Sequence, residues 1–180
     1  MVSSSVPSVP NFSADSSKNS PGGGAAYGLS PAEVRALDTA FHLAQQAGQS
    51  GDVPVGAVVL TPEGIVAGLG LNQRECPPYD PSAHAEIVAL REAAGRLERW
   101  NLKDCTLVVT LEPCTMCAGA IVNARISRLI FGAWDPKAGA CGSVRDVVRD
   151  SRLNHQVEVR GGVDEPRVKS LLREFFGERR

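Results

Sequence analysis

The chain has 180 residues, of which 43% are hydrophobic and 22% are charged. These values are typical of one globular domain with a sizeable core, and they exclude fibrous and largely disordered proteins. The formal net charge is only −1, so a nucleic-acid partner would need a local positive surface. No apolar run approaches the roughly 20 residues of a membrane helix, and the N-terminus lacks the pattern of a secretory signal.

The cysteine content favours a reducing compartment. Two of the five cysteines form a Cys-x-x-Cys pair, and the other three, Cys76, Cys105 and Cys141, show no spacing typical of a disulfide framework. We therefore predict a cytoplasmic protein that is not built on disulfides, and we expect no membrane partner.

The N-terminal segment differs in composition from the rest of the chain. Residues 1–28 are rich in Ser, Pro and Gly, so they cannot bury enough apolar surface to offset the entropy of ordering. We predict a disordered tail over residues 1–28 and a single domain over residues 29–180. Ser30, Pro31 and Glu33 match the start of a capped helix, which is predicted to run to about Gly48.

A β-hairpin is predicted after this first helix. Residues 53–60 form an apolar strand, and the Thr-Pro-Glu-Gly segment at 61–64 is a turn. The second strand extends from residue 65 to about residue 69. Because the connection between the two strands is short, we expect them to pair as an antiparallel hairpin.

A second helix is predicted to carry the first candidate site residues. A polar loop over residues 71–82 leads to a helix whose apolar stripe spans residues 87–96. His84 therefore lies at the N-terminus of this helix. In the first turn, its side chain and that of Glu86 can reach one point, although they would diverge deep inside a helix.

The remaining elements alternate between strand and helix. Strands are predicted over residues 106–110, 128–132 and 156–160, a helix begins at Cys114, and a last helix begins at about residue 164. This alternation predicts an α/β fold, namely a three-layer α/β/α sandwich around a five-stranded mixed sheet.

Three residues have the chemistry of a metal site. His84, Cys114 and Cys117 supply one imidazole and two thiolates, which suit zinc. Three protein ligands leave the fourth position for water or substrate, so Glu86 is free to move protons. The combination of His-x-Glu with Pro-Cys-x-x-Cys is the signature of zinc-dependent base deaminases, in which the metal activates water and the glutamate shuttles protons.

Two other interpretations of the same residues remain open at this point. The Cys-x-x-Cys pair could belong to a closed structural zinc site whose fourth ligand is Cys105 or Cys141. It could also be a redox pair, but that leaves His84 and Glu86 without a purpose.

Several blocks of sequence resemble the family of bacterial tRNA-specific adenosine deaminases, within the wider cytidine deaminase superfamily. The similarity extends over residues 29–180. The blocks are residues 53–58, 72–75, 81–86, 110–120, 131–137 and 154–158, with the Phe-Phe pair at 175–176. The resemblance implies a cytidine deaminase-like fold, a homodimer with one zinc ion per subunit, and conversion of adenosine to inosine at the wobble position of tRNA, chiefly an arginine tRNA with anticodon ACG.

The resemblance also implies roles for individual residues. The zinc ligands fall on His84, Cys114 and Cys117 and the proton shuttle on Glu86. Residues implied to contact the anticodon stem-loop are Asn72, Ala85, Asp135, Lys137, Phe176 and Arg180. From the residues alone, Asn72 could be a turn residue, Phe176 could lie in the core, and Lys137 and Arg180 could be ordinary surface. Trp134 departs from the polar residue usual at its position, so the pocket for a flanking base could differ.

Two further functions compete with this hypothesis. A deaminase of a free base or nucleoside would need a closed pocket and would not use basic or aromatic residues at the C-terminus. A zinc-stabilised RNA-binding module without catalysis would not need Glu86.

Overall fold

The computed structural model describes residues 28–177. Its elements in chain order are α1 (Pro31–Gln49), β1 (Gly56–Leu60), β2 (Val66–Leu71), α2 (Ala85–Arg96), β3 (Thr106–Leu111), α3 (Thr115–Asn123), β4 (Arg128–Ala133), β5 (Glu158–Arg160) and α4 (Glu165–Gly177). The predicted tail lies outside the described residues except for Gly28, and so does Arg180.

The five strands form one mixed sheet in the order β2-β1-β3-β4-β5. Strand β1 is antiparallel to both β2 and β3, whereas β3, β4 and β5 are parallel. Helices α1 and α4 pack on one face, and α2 and α3 pack on the other. The predicted three-layer sandwich with a five-stranded mixed sheet is therefore confirmed.

Alternate residues of the central strands divide the core into two parts. Val58, Val108 and Ile130 face α1, in a cluster with Ala36 and Ala40. The intervening residues of the same strands face α2 and α3, and they are Val59, Leu107, Val109, Leu129 and Phe131. Because both faces of these strands are covered, their sequences are almost continuously apolar.

The first helix begins as its sequence predicts. The Glu33 N–H donates to Ser30 Oγ at 3.3 Å, and the Ser30 N–H donates to Glu33 Oε2 at 2.7 Å. This reciprocal capping box satisfies two backbone donors that a helix start otherwise leaves without partners. The helix passes the predicted stop at Gly48 and ends one residue later, at Gln49.

Strands β1 and β5 are shorter than predicted because backbone groups at their N-terminal ends bond outside the sheet, whereas β2 extends to residue 71 and not only to about residue 69. Strand β1 begins at residue 56 and not at residue 53, because Pro54 has no N–H group and the Val55 N–H donates to the Val53 carbonyl at 2.8 Å. At β5, the Val157 N–H donates to the Val148 carbonyl at 3.0 Å, which removes residue 157 from the sheet. The predicted strand of residues 156–160 is therefore only three residues long.

Helix α2 lies directly against β2 at Gly70. A Cβ at this position would lie 2.0 Å from the Ala85 carbonyl oxygen and 2.6 Å from the Ala89 nitrogen. Both are backbone atoms, so they cannot move aside as a flexible side chain could. The absent side chain thus sets the distance of the α2 N-terminus, with its neighbouring residue His84, from the sheet.

We expect Gly70→Ala to lower the free energy of unfolding by about 1–3 kcal/mol, the usual effect of overpacking a well-packed core. The matched control is Gly95→Ala, also at α2, where a Cβ would meet nothing within 4 Å. That variant should be neutral or slightly stabilising, since Ala favours a helix. Urea unfolding of both variants tests this, and equal midpoints would contradict the close approach at Gly70.

None of the helices within residues 28–177 is both long and apolar enough to cross a membrane. The five cysteines, which all lie within this range, are free.

Candidate active site

Two helix N-termini bring the predicted metal ligands together. His84 is the N-cap of α2, Cys114 is the N-cap of α3, and Cys117 lies in the first turn of α3. The His84 Nδ1 atom is 3.8 Å from Cys114 Sγ and 3.6 Å from Cys117 Sγ. All three ligand atoms lie within 4.8 Å of one another, so one ion can contact them together.

The donor set fits zinc. One imidazole and two thiolates are ligands that zinc prefers, and a helix N-terminus favours the thiolate form. Hydrogen bonds from Cys117 and His84 lower the pKa of Cys114 to about 3. Among residues 28–177, Cys105 and Cys141 lie outside this cluster. The arrangement therefore corresponds to an open catalytic site and not to the closed structural site considered above.

Glu86 lies in the first turn of α2 beside this cluster. Its side chain is buried, with 3% exposure. Burial raises its pKa to about 6, while the charge of His84 acts in the opposite direction. A carboxyl group with a pKa in this range can both accept and donate a proton near neutral pH.

Asn72 fixes the start of α2. It is buried just after β2, and its Oδ1 accepts the Ala85 N–H at 2.9 Å. One of the backbone donors of the helix N-terminus is thereby satisfied. The Ala85 N–H thus already has a hydrogen-bond acceptor, and the Ala85 carbonyl lies against Gly70. The implied backbone contact of Ala85 with a base stays a prediction.

Asp135 and Lys137 lie together on the loop that follows β4. The Lys137 N–H donates to Asp135 Oδ1 at 2.9 Å, and the Lys137 side chain is exposed. The neighbouring Trp134 packs its ring against Phe131 with 4.7 Å between ring centroids. Trp134 is thus half-buried support for the loop.

Phe176 lies in the last turn of α4, the helix that packs beside α1 on the sheet face opposite to α2 and α3. Its side chain is 52% exposed, so the alternative that it belongs to the core is wrong. Its ring packs edge-to-face on Phe175. An exposed aromatic ring is available to stack on a partner.

Two buried carboxylates near the site were missed in the sequence. Asp52 accepts hydrogen bonds from the Val53 and Glu75 N–H groups, and it thereby connects the α1–β1 loop to the loop after Asn72. Glu112 binds backbone N–H groups of the loop that carries Asp135. The available signal was an acidic residue directly beside a buried apolar strand, where an unpaired charge is costly.

Comparisons with known proteins agree with this site. A family model of the cytidine and deoxycytidylate deaminase zinc-binding region matches residues 32–133. The tRNA-specific adenosine deaminase of Haemophilus influenzae is 46% identical over 141 residues, which cover 78% of this chain and 81% of that protein. A solved structure from a study of A-to-I editing by tRNA:A34 deaminases at the wobble position of transfer RNA has a TM-score of 0.74 and 38% identity, and covers 77% of this chain and 99% of that chain.

One similar protein is much longer. The tRNA(Ile)-lysidine synthase of Deinococcus radiodurans is 51% identical over 144 residues, which cover 79% of this chain. The match spans only 24% of that protein's length.

The fold and the three-ligand cluster define a zinc-dependent deaminase. The family model covers more than half of the chain, and the Haemophilus influenzae relative is matched over most of its own length. The chain belongs to the cytidine and deoxycytidylate deaminase family and, within it, to the tRNA-specific adenosine deaminases. The family predicted from the sequence is thereby confirmed.

Proposed function

We propose that this protein deaminates adenosine to inosine at the wobble position of tRNA, chiefly an arginine tRNA with anticodon ACG. The observation that carries the proposal is the open His84, Cys114 and Cys117 cluster with buried Glu86 beside it. The similarity to tRNA-specific adenosine deaminases of matching length supports the choice of substrate.

The proposed reaction replaces the exocyclic amine of adenine by oxygen from water. His84, Cys114 and Cys117 would hold a zinc ion, and the ion would supply the Lewis acidity that activates a water molecule. Glu86 accepts a proton from this water and delivers it to a ring nitrogen of the base. The water oxygen bonds to C6 of the base, Glu86 passes the remaining proton of this oxygen to the exocyclic nitrogen, and the bond from C6 to that nitrogen breaks, so that ammonia leaves. The burial of Glu86 supports this role, since bulk water has little access to its carboxyl group.

The substrate is proposed to be a splayed anticodon loop, because bases of a loop can enter a pocket without opening a duplex. In this proposal Asn72 and Ala85 address the target nucleoside, and the Ala85 N–H would exchange its present acceptor, Asn72 Oδ1, for the base edge. The flanking nucleotides and the RNA backbone are met by Asp135, Lys137, Phe176 and Arg180. The exposure of Lys137 and Phe176 is consistent with such contacts.

We also propose a homodimer in the cytoplasm. On α3, Met116 is 41% exposed, and a Cβ at Gly119 would meet nothing within 4 Å. These two residues lie on one side of the helix, so one large apolar side chain and one open backbone position face away from the chain. The free cysteines are consistent with a reducing compartment.

The test is to incubate the zinc-loaded protein with an ACG anticodon stem-loop and, separately, with free nucleosides and bases. We expect inosine at the wobble position of the stem-loop. A matched stem-loop with guanosine at this position should stay unchanged. If free bases or nucleosides react while the stem-loop does not, the protein is a deaminase of small substrates and the proposal is wrong.

A further inference from the structure

The loop of residues 134–143 is held by a buried carboxylate. Glu112 directly follows β3 and is 2% exposed. Its Oε2 accepts the Asp135 N–H at 2.9 Å, and its Oε1 accepts the N–H groups of Cys141 and Ser143, both at 3.0 Å. One side chain therefore binds the loop at its beginning and near its end.

The same loop also contacts the backbone of the metal site. The Ala140 N–H donates to the Pro113 carbonyl at 2.8 Å, and Gly139 pairs with Cys114 in an antiparallel bridge. Since Cys114 is a metal ligand, the loop and the ligand share one hydrogen-bonded unit. Glu112 precedes Cys114 by two residues in the chain, so it lies where the loop meets the metal ligand.

The carboxylate fills the space beneath Gly139. A Cβ at this position would lie 2.2 Å from Glu112 Oε2 and 2.3 Å from Ser143 Oγ. The Ser143 hydroxyl in turn donates to the Asp135 carbonyl at 2.7 Å. The loop is thus wrapped around the Glu112 side chain.

We propose that Glu112 is a positioning residue that orders the loop of residues 134–143, so that Asp135 and Lys137 are presented in one conformation to the anticodon loop. It acts through the loop backbone and does not touch the substrate. This inference rests on the proposed function for the identity of the substrate. The ordering of the loop stands on the hydrogen bonds alone.

A carboxylate suits this task better than an amide. Both of its oxygens accept hydrogen bonds only, whereas a glutamine carries an NH₂ group at one of the two positions. In Glu112→Gln, one side of the loop therefore faces a donor opposite its own N–H group. The shape of the side chain is retained, so the surrounding core is not emptied.

The first measurement is hydrogen exchange of zinc-loaded protein without RNA. In Glu112→Gln we expect either the Asp135 amide, or the Cys141 and Ser143 amides together, to exchange about tenfold faster or more, according to which of them faces the new NH₂ group. This is the ratio that about 1.4 kcal/mol per lost hydrogen bond gives. Amides of β1 and β3 should keep their protection, and zinc should stay near one ion per chain. Unchanged exchange in the loop would contradict the proposal.

The second measurement is steady-state kinetics on the stem-loop. We expect KM to rise about tenfold while kcat changes less than about threefold, because the loop binds RNA and does not perform the chemistry. The control Glu63→Gln changes an exposed carboxylate of the β1–β2 turn and should leave both constants unchanged. A fall in kcat with loss of zinc would instead assign Glu112 to the metal site.

A second variant disturbs the contact between Glu112 and the loop without changing the carboxylate itself. Gly139→Ala pushes a methyl group against Glu112 and should reproduce the faster loop exchange. If both variants lose protection throughout β1 and β3, Glu112 is a residue of the fold and the proposal is wrong. If the unmodified protein does not deaminate the stem-loop, the proposed function fails. The exchange measurement still decides whether Glu112 orders the loop.

Discussion

Glu86→Gln is expected to lower deamination of the stem-loop by about 10²–10⁴-fold, the usual contribution of a general acid–base residue. Glutamine has nearly the same size as glutamate, so it fills the buried position next to His84 without leaving a cavity. It cannot accept and return a proton, however. The variant should still bind zinc, because Glu86 is not among the three residues that can hold the ion.

The measurement combines three readings on the same preparation. Inosine formation under single-turnover conditions gives the rate of the chemical step, metal analysis gives the zinc content, and a binding assay gives the affinity for the stem-loop. The control Glu98→Gln changes an exposed carboxylate just beyond α2 and should keep the full rate. If Glu86→Gln reacts at the unmodified rate, Glu86 is not the proton shuttle. If the unmodified protein and Glu86→Gln both bind RNA and zinc but neither forms inosine, the protein is an RNA-binding module.

The fold was largely predictable because its elements have strong local patterns. The capping box of α1, the apolar run of β3 and the stripe of α2 each depend on residues close in the chain. The short length of β5 was not predictable. It depends on the hydrogen bond from Val157 to the Val148 carbonyl, and Val148 lies in a segment for which no helix or strand was predicted. Sequence patterns do not report such pairings between loops.

The candidate site divides in the same way. The three metal ligands were predictable because their chemical types and short spacings are constrained by the ion. The function of Glu112 was not, because the groups that it binds lie 23–31 residues further along the chain. The function of Asn72 could be predicted only in part. Its position in the site was implied by resemblance, whereas its bond to Ala85 depends on the contact of β2 with α2.

Cys117→Ser is expected to remove zinc and, with it, nearly all deamination. Cys117 is fully buried in the first turn of α3, and its Sγ lies 3.6 Å from His84 Nδ1. A serine hydroxyl is a poor zinc ligand at neutral pH, so only two good ligands remain. The zinc content should fall from about one ion to below about 0.1 per chain, and the rate should fall at least about 10³-fold.

Loss of the ion should also lower stability. A metal that binds only the folded chain stabilises it by about 4 kcal/mol when the free metal concentration is 1,000 times Kd. Loss of this stabilisation should lower the Tm by roughly 10 °C for a chain of this size. The control Cys76→Ser changes a cysteine outside the cluster and should keep zinc, rate and Tm.

A chelator separates the effect of the metal from the effect of the substitution itself. It should lower the Tm of the unmodified protein to that of Cys117→Ser and leave the variant unchanged, because the variant has no ion to lose. A Cys117→Ser protein that retains stoichiometric zinc and full activity would mean that Cys117 is not a ligand. The ion would then need a different third donor. The positions of His84 and Cys114 at two helix N-termini would then need an explanation other than a metal ion shared by α2 and α3.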